Sequence, residues 1–109
     1  MAAEMPYAAP PFASYSVAWE AVVPGAAWMF VYASLQAYKA HVQEYPGCQR
    51  LDVFVAAVDG DDVRLQCYAT WDTPEQLEAF LERGYTLERL LADIDAPAPQ
   101  RTLVMEKVF

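Results

Sequence analysis

The order of apolar patterns along the chain predicts an α+β domain, one antiparallel sheet with helices packed on one face. Three observations carry this expectation. Tyr15, Val17, Trp19, Ala21 and Val23 recur with the period of two of a strand. Trp28, Val31, Tyr32, Leu35, Tyr38 and Val42 follow at the three- and four-residue spacing of a helix. Two β-branched runs then flank Asp59-Gly60-Asp61-Asp62, and an Asp-Gly step between such runs signals a hairpin.

Residues 1 to 12 hold three of the eight prolines and no periodic apolar face, so they are expected to form a flexible N-terminal arm before a single domain over residues 13–109. The first strand covers Ser14 to Val23 and ends at Pro24-Gly25. Tyr45-Pro46-Gly47 stops the first helix. The hairpin strands are Cys48 to Val58 and Val63 to Asp72. Thr73-Pro74-Glu75-Gln76 opens the second helix: Thr73 caps, Pro74 suits the first turn and Gln76 completes a capping box. Leu77, Phe80 and Leu81 form its apolar stripe, and Gly84 serves as its C-terminal cap. A short helix follows from Leu87 to Asp93, and Gln100 to Phe109 is the last strand. Strand, helix, strand, strand, helix, strand is the split βαβ, ferredoxin-like arrangement.

Composition narrows the partners. The chain has 109 residues, with 15 acidic against 7 basic side chains and a net charge of -8. The basic residues are scattered singly, which disfavours nucleic acid and anionic membrane surfaces alike. The longest apolar-looking run, Gly25 to Leu35, is about half of the ~20 residues that span a bilayer. The start of the chain lacks the parts of a secretory signal, so a cytoplasmic address is expected. Two cysteines and a single histidine do not make a protein-only transition-metal site.

With a loop of two or four residues, opposing positions in the hairpin sum to an odd number. Phe54, Ala56 and Val58 would then share a face with Val63, Leu65, Cys67 and Trp71, leaving Leu51, Val53 and Val55 on the other. Helices cover only one of two apolar faces, so a second copy of the chain is the expected cover for the other, the Val53 face. In this register Cys67 opposes Phe54, roughly 20 Å along the strand from Cys48, which rules out an intrachain disulfide.

The segment HVQEYPGCQRLDV, the hairpin, and then YATWDTPEQLEAFL resemble the antibiotic biosynthesis monooxygenase (ABM) superfamily. The most specific pieces are the Pro46-Gly47 turn and Trp71-Asp72-Thr73-Pro74-Glu75. The resemblance covers Ser14 to Phe109. It implies a homodimer of ferredoxin-like subunits, a dimeric α+β barrel, each subunit with an apolar pocket between sheet and helices. It also implies chemistry ranging from cofactor-independent oxygenation of anthrones and quinols to haem degradation and isomerisation of a small phosphorylated signal molecule. Departures are informative. The Asn of the anthrone oxygenases, four residues before the Trp, is Cys67 here, and the chain contains no Asn. The haem-degrading members' Asn on the first strand and His on the second helix are absent, since those elements offer Ala18, Trp19, Phe80 and Leu81.

Seven residues are expected at the site. Trp71 can stack an aromatic substrate and donate its indole N–H to a phenolate; as a junction Trp it equally suits the core. Cys67 shares its face as a weak donor or a small hydrophobe. Trp28 and Tyr32 lie on the helical stripe expected to face the sheet, as pocket wall or core. Phe54 and Phe80 extend that wall. Arg50, opposite Trp71 in one allowed register, is a partner for an anionic group or simply for Asp52. His41 flanks the stripe, about 110° from its centre at 3.6 residues per turn, as a solvated residue or a general base. The function expected is a cofactor-independent monooxygenase of an apolar aromatic ligand, an anthrone, quinol or polyketide-like phenol. The alternative is a non-catalytic dimeric binding or structural domain of the same fold.

Overall fold

A computed structural model describes residues 14–108, apart from the side chains of residues 56–59. The proposed arm and Phe109 lie outside the described residues. β1 spans Tyr15–Pro24, α1 Trp28–Val42 after a 3-10 turn at Gly25–Ala27, β2 Cys48–Asp59 and β3 Asp62–Trp71. α2 spans Pro74–Arg83, α3 Leu87–Asp93 and β4 Arg101–Glu106, so the last strand is shorter than the sequence suggested. The sheet is antiparallel in the order β2-β3-β1-β4, the ferredoxin-like topology.

Alternation in β1 buries Val17, Trp19, Ala21 and Val23, each no more than 1% exposed. They pair across with Ala69, Cys67, Leu65 and Val63 of β3. The helices lay Val31, Leu35, Tyr38 and Val42 of α1, Leu77 and Phe80 of α2, and Leu87, Leu90 and Leu91 of α3 over this face. No described helix is long and apolar enough to cross a membrane.

The turn chemistry holds in part. Gly60 has φ of +62° at the first central position of the two-residue hairpin loop, a conformation glycine adopts without steric cost. The Thr73 hydroxyl accepts from the Gln76 amide at 3.2 Å. The capping box stays half made, because the buried Gln76 Oε1 has no partner among the described residues. Gly84 has φ of -82°, outside the left-handed region, so conformational freedom is not its role. It is instead a matter of room, since a Cβ there would stand 2.5 Å from Cδ1 of Phe80.

The register corrects the expected face assignment. At the hairpin tip Val58 faces Val63 and Asp59 faces Asp62, as the odd-sum rule requires. A bulge between Val55 and Ala57 leaves Ala56 as an extra residue, and below it the pairs are Val55 with Leu65, Val53 with Cys67 and Leu51 with Ala69. One added residue exchanges the faces of the strand below it. Leu51, Val53 and Val55 therefore point to the helices, and Phe54 points away. The sheet face left open carries Phe54, Gln66, Tyr68 and Leu103, and it is this face, not the Val53 face, that lacks a cover. Arg50 opposes Thr70, and Cys48 takes the place opposite Trp71.

Candidate functional site

Local chain stops bring a chain of rings together on the helix side. Gly47, at φ of +85°, turns the chain after α1 and seats Tyr45 against the sheet. Its carbonyl accepts from the Asp72 amide at 2.9 Å, joining this turn to the β3–α2 junction. The Thr73 cap starts α2 so that Phe80 lands on Trp71, with centroids 4.8 Å apart, and on Tyr45 at 5.1 Å. Trp19 closes the cluster from β1, its indole Nε1 donating to Glu88 of α3 at 3.1 Å.

Outside these rings lies a cleft of about 490 Å³ between α1 and α3, lined by Ser34, Ala37, Tyr38, His41, Tyr85 and Leu90. The four α1 residues fall at helical spacing on one flank. Tyr85, in the α2–α3 connection, meets Tyr38 edge-on at 6.0 Å and His41 at 5.9 Å. Its hydroxyl donates to Asp93, which holds the phenol proton and raises its pKa. The Tyr45 hydroxyl accepts from the Tyr85 amide at 3.0 Å and lies 3.5 Å from Nε2 of His41.

Two polar atoms in this region are buried without a partner among the described residues, the Trp71 Nε1 and the Tyr38 hydroxyl. Burial above all, and then the Cys67, Tyr45, Glu88 and Tyr85 groups, push the Tyr38 pKa up. Burial, with a smaller contribution from Asp52, pushes the Cys67 thiol up to about 12, so it is protonated at neutral pH and a poor nucleophile.

The seven expected residues occupy three places. Trp71, Cys67 and Phe80 are together, but in the packed core, each no more than 2% exposed. Trp28 packs against the edge of that core, whereas Tyr32 does not, and both line a separate cleft with Val53 and Val55, because α1 turns its Val31, Leu35, Tyr38 and Val42 edge to the sheet. Phe54 and Arg50 are on the open face, where a depression of about 430 Å³ is lined by Ser16, Asp52, Gln66, Tyr68 and Thr70 as well. Arg50 binds Asp52 at 3.0 Å. Sequence reasoning placed Tyr38 in the core stripe and left out Tyr45 and Tyr85. The readable signal was His41 and Tyr45 four positions apart at the end of the α1 pattern.

Among the described residues no cluster of three His, Cys, Asp or Glu side chains could hold a metal ion. A haem site like that of the haem-degrading members is not supplied by these residues, since the only imidazole of the chain stands on α1 beside Tyr45.

No family model and no curated protein matches the chain. Solved structures do. A structure from Nitrosomonas europaea described as a candidate antibiotic biosynthesis monooxygenase aligns with TM-score 0.66 at 15% identity, over 92% of this chain and 94% of its own. A haem-degrading protein from Mycobacterium tuberculosis aligns with TM-score 0.61 at 17% identity, over 88% and 95%. A dimeric ferredoxin-like protein of unknown function from Bacteroides fragilis aligns with TM-score 0.62 at 11% identity, over 89% and 96%. At these identities the likeness concerns the fold. The chain has the ferredoxin-like fold of the antibiotic biosynthesis monooxygenase structures, the architecture that its Pro46-Gly47 and Trp71-Asp72-Thr73-Pro74-Glu75 segments implied.

Proposed function

We propose that the chain is a cofactor-independent monooxygenase acting on an electron-rich aromatic, an anthrone, quinol or polyketide-like phenol, held in the cleft between α1 and α3. The observation that carries this reading is the cleft wall itself, where the single imidazole of the chain stands edge to face with Tyr85 and, behind the wall, with Tyr45, and where Tyr38 lines the same cleft. Aromatic walls bind a flat substrate, and His41 is within reach of it as a proton acceptor. Loss of the proton raises electron density on the substrate, which then reduces dioxygen directly. For an anthrone the ring CH2 becomes C=O; one oxygen atom enters the product and the other leaves with the two hydrogens as water. Trp71 backs Tyr45, with centroids 6.3 Å apart, and in this reading it is a supporting ring sealed behind the cleft wall, not a donor to the substrate oxygen. The reading includes a homodimer formed through the open sheet face, supported by the exposure of Phe54 and Leu103 there.

Oxygen uptake on a panel of anthrones and quinols, in metal-free and flavin-free buffer, tests the reading. Turnover is expected, with a product heavier by one oxygen and lighter by two hydrogens for an anthrone. His41→Ala should lower it by about 10²-fold or more. No turnover on any member, or equal turnover in His41→Ala, overturns it. The sealed positions of Trp71, Cys67 and Phe80 favour the second reading, a dimeric binding domain without catalysis. That reading expects saturable binding of the same compounds with no product by mass spectrometry.

A further inference from the structure

The flank of α1 turned away from His41 lines another concavity. Trp28, Tyr32, Leu35, Gln36 and Lys39 of α1, with Val53 and Val55 of β2, enclose about 300 Å³. We infer that this cleft is a second binding site, for a flat apolar molecule bearing a carboxylate. The inference goes beyond the proposed oxygenation and does not depend on it.

Four features of the cleft argue for this occupant. Trp28 and Tyr32 meet edge to face, with centroids 5.6 Å apart and planes at 77°, which makes a stiff aromatic corner. Its floor is apolar, and it is open to water: Tyr32 is 46% and Val55 51% exposed, so a ligand gains by covering them. Among the lining residues Lys39 alone is charged, and Gln36 stands beside it as an amide donor. Among the described residues no acidic side chain lines the cleft, although the chain as a whole carries -8. An anion is thus repelled over much of the surface and met by an ammonium here. Spacing sets the size of the ligand. At 1.5 Å rise per residue Tyr32 and Lys39 are about 10 Å apart along the helix, which suits a bicyclic aromatic acid with its ring at Tyr32 and its carboxylate at Lys39.

The three tryptophans give a site-specific readout. Trp19 and Trp71 are fully buried, whereas Trp28 is half-buried in the cleft wall. Their indole N–H resonances, assigned with Trp28→Phe, can be followed in the full chain during titration with 2-naphthoate and with neutral 2-naphthamide. Saturable movement of the Trp28 signal is expected, with the Trp19 and Trp71 signals unmoved. The carboxylate should bind about five- to tenfold more tightly than the amide at low salt, the preference shrinking as salt rises. Lys39→Gln should erase that preference and leave the weaker apolar binding in place. Failure of 2-naphthoate to saturate the Trp28 signal overturns the site. Equal affinity for acid and amide, or a preference that survives Lys39→Gln, overturns the assignment of a carboxylate. Oxygen uptake does not enter this test, so its failure and failure of the oxygenase reading are separate results.

Discussion

The two faces of the sheet solve opposite problems. The helix face excludes water with Val17, Trp19, Ala69, Trp71 and Phe80, and leaves three buried polar atoms, at Tyr38, Trp71 and Gln76, without partners among the described residues. The open face joins its polar groups to one another. Tyr68 donates to Gln66 at 2.9 Å, Gln66 donates to Glu20 at 3.0 Å, and the Ser16 and Thr70 hydroxyls meet at 3.0 Å. By register this face holds Arg50, Arg64 and Arg101 against Glu20, Asp52 and, at the hairpin end, Asp59 and Asp62, three positive less four negative, or -1, while the whole chain carries -8. Most of the acidic surplus lies elsewhere. Packing on one face specifies the fold. The other, apolar at Phe54 and Leu103 and nearly neutral, can meet a copy of itself without the repulsion that the rest of the surface would impose.

The largest expected effect separates the faces by stability. Trp71→Ala should cost about 3–5 kcal/mol in urea unfolding, as a large cavity opens in the core. Trp71→Phe should cost less than about 1.5 kcal/mol, because it also removes an unpaired buried N–H. Equal losses would mean that the indole N–H has a partner in solution.

Phe54→Glu addresses the open face. Sedimentation equilibrium should show a dimer for the wild type and a single-chain mass for the variant, with near-unchanged circular dichroism, because carboxylates buried in an interface without partners drive dissociation. A dimer insensitive to this substitution places the interface elsewhere.

A third expectation concerns pH. The Cys67 thiol has its pKa raised from 9.0 to about 12 in the fold. Above pH 9 the unfolded chain releases this proton while the folded chain keeps it, so stability falls as pH rises from 9 towards 12. Tyr38, raised in the same direction by burial, adds to the fall above its ordinary value of 10.0. Cys67→Ala should flatten the earlier part of the slope in thermal melts. An unchanged slope would show that the thiol is hydrated. The smallest effect is expected at Arg50, whose side chain is 69% exposed in its pair with Asp52. Arg50→Ala should change stability by less than about 1 kcal/mol, and a larger loss would point to a second copy enclosing the pair.

Much of the fold was legible because its signals are local. The alternation of β1 and the cap of α2 depend on residues within a few positions of each other. The faces of β2 were not legible, since Ala56 becomes an extra residue only against a partner strand, and nothing in its own neighbourhood marks it. The site was legible in type more than in place. An aromatic pocket was expected around Trp71, and rings do surround it, yet they fill the space, and the opening lies one layer outward at Tyr38, His41 and Tyr85. That assembly rests on Tyr45 reaching Tyr85 across 40 positions of sequence, a pairing of two loop residues that no periodicity announces.

The irregularities of β2 also bear on how the chain behaves at high concentration. β2 is an outermost strand, and its pairing shifts twice, between Cys48 and Arg50 and again between Val55 and Ala57. Only the six residues from Arg50 to Val55 run straight between them, and these begin with an ion pair. An incoming strand would find a short template, bent at both ends and charged at one. Growth of the sheet by stacking chain upon chain, the first step towards fibrils, is therefore interrupted at this edge by backbone geometry, without any need for a proline.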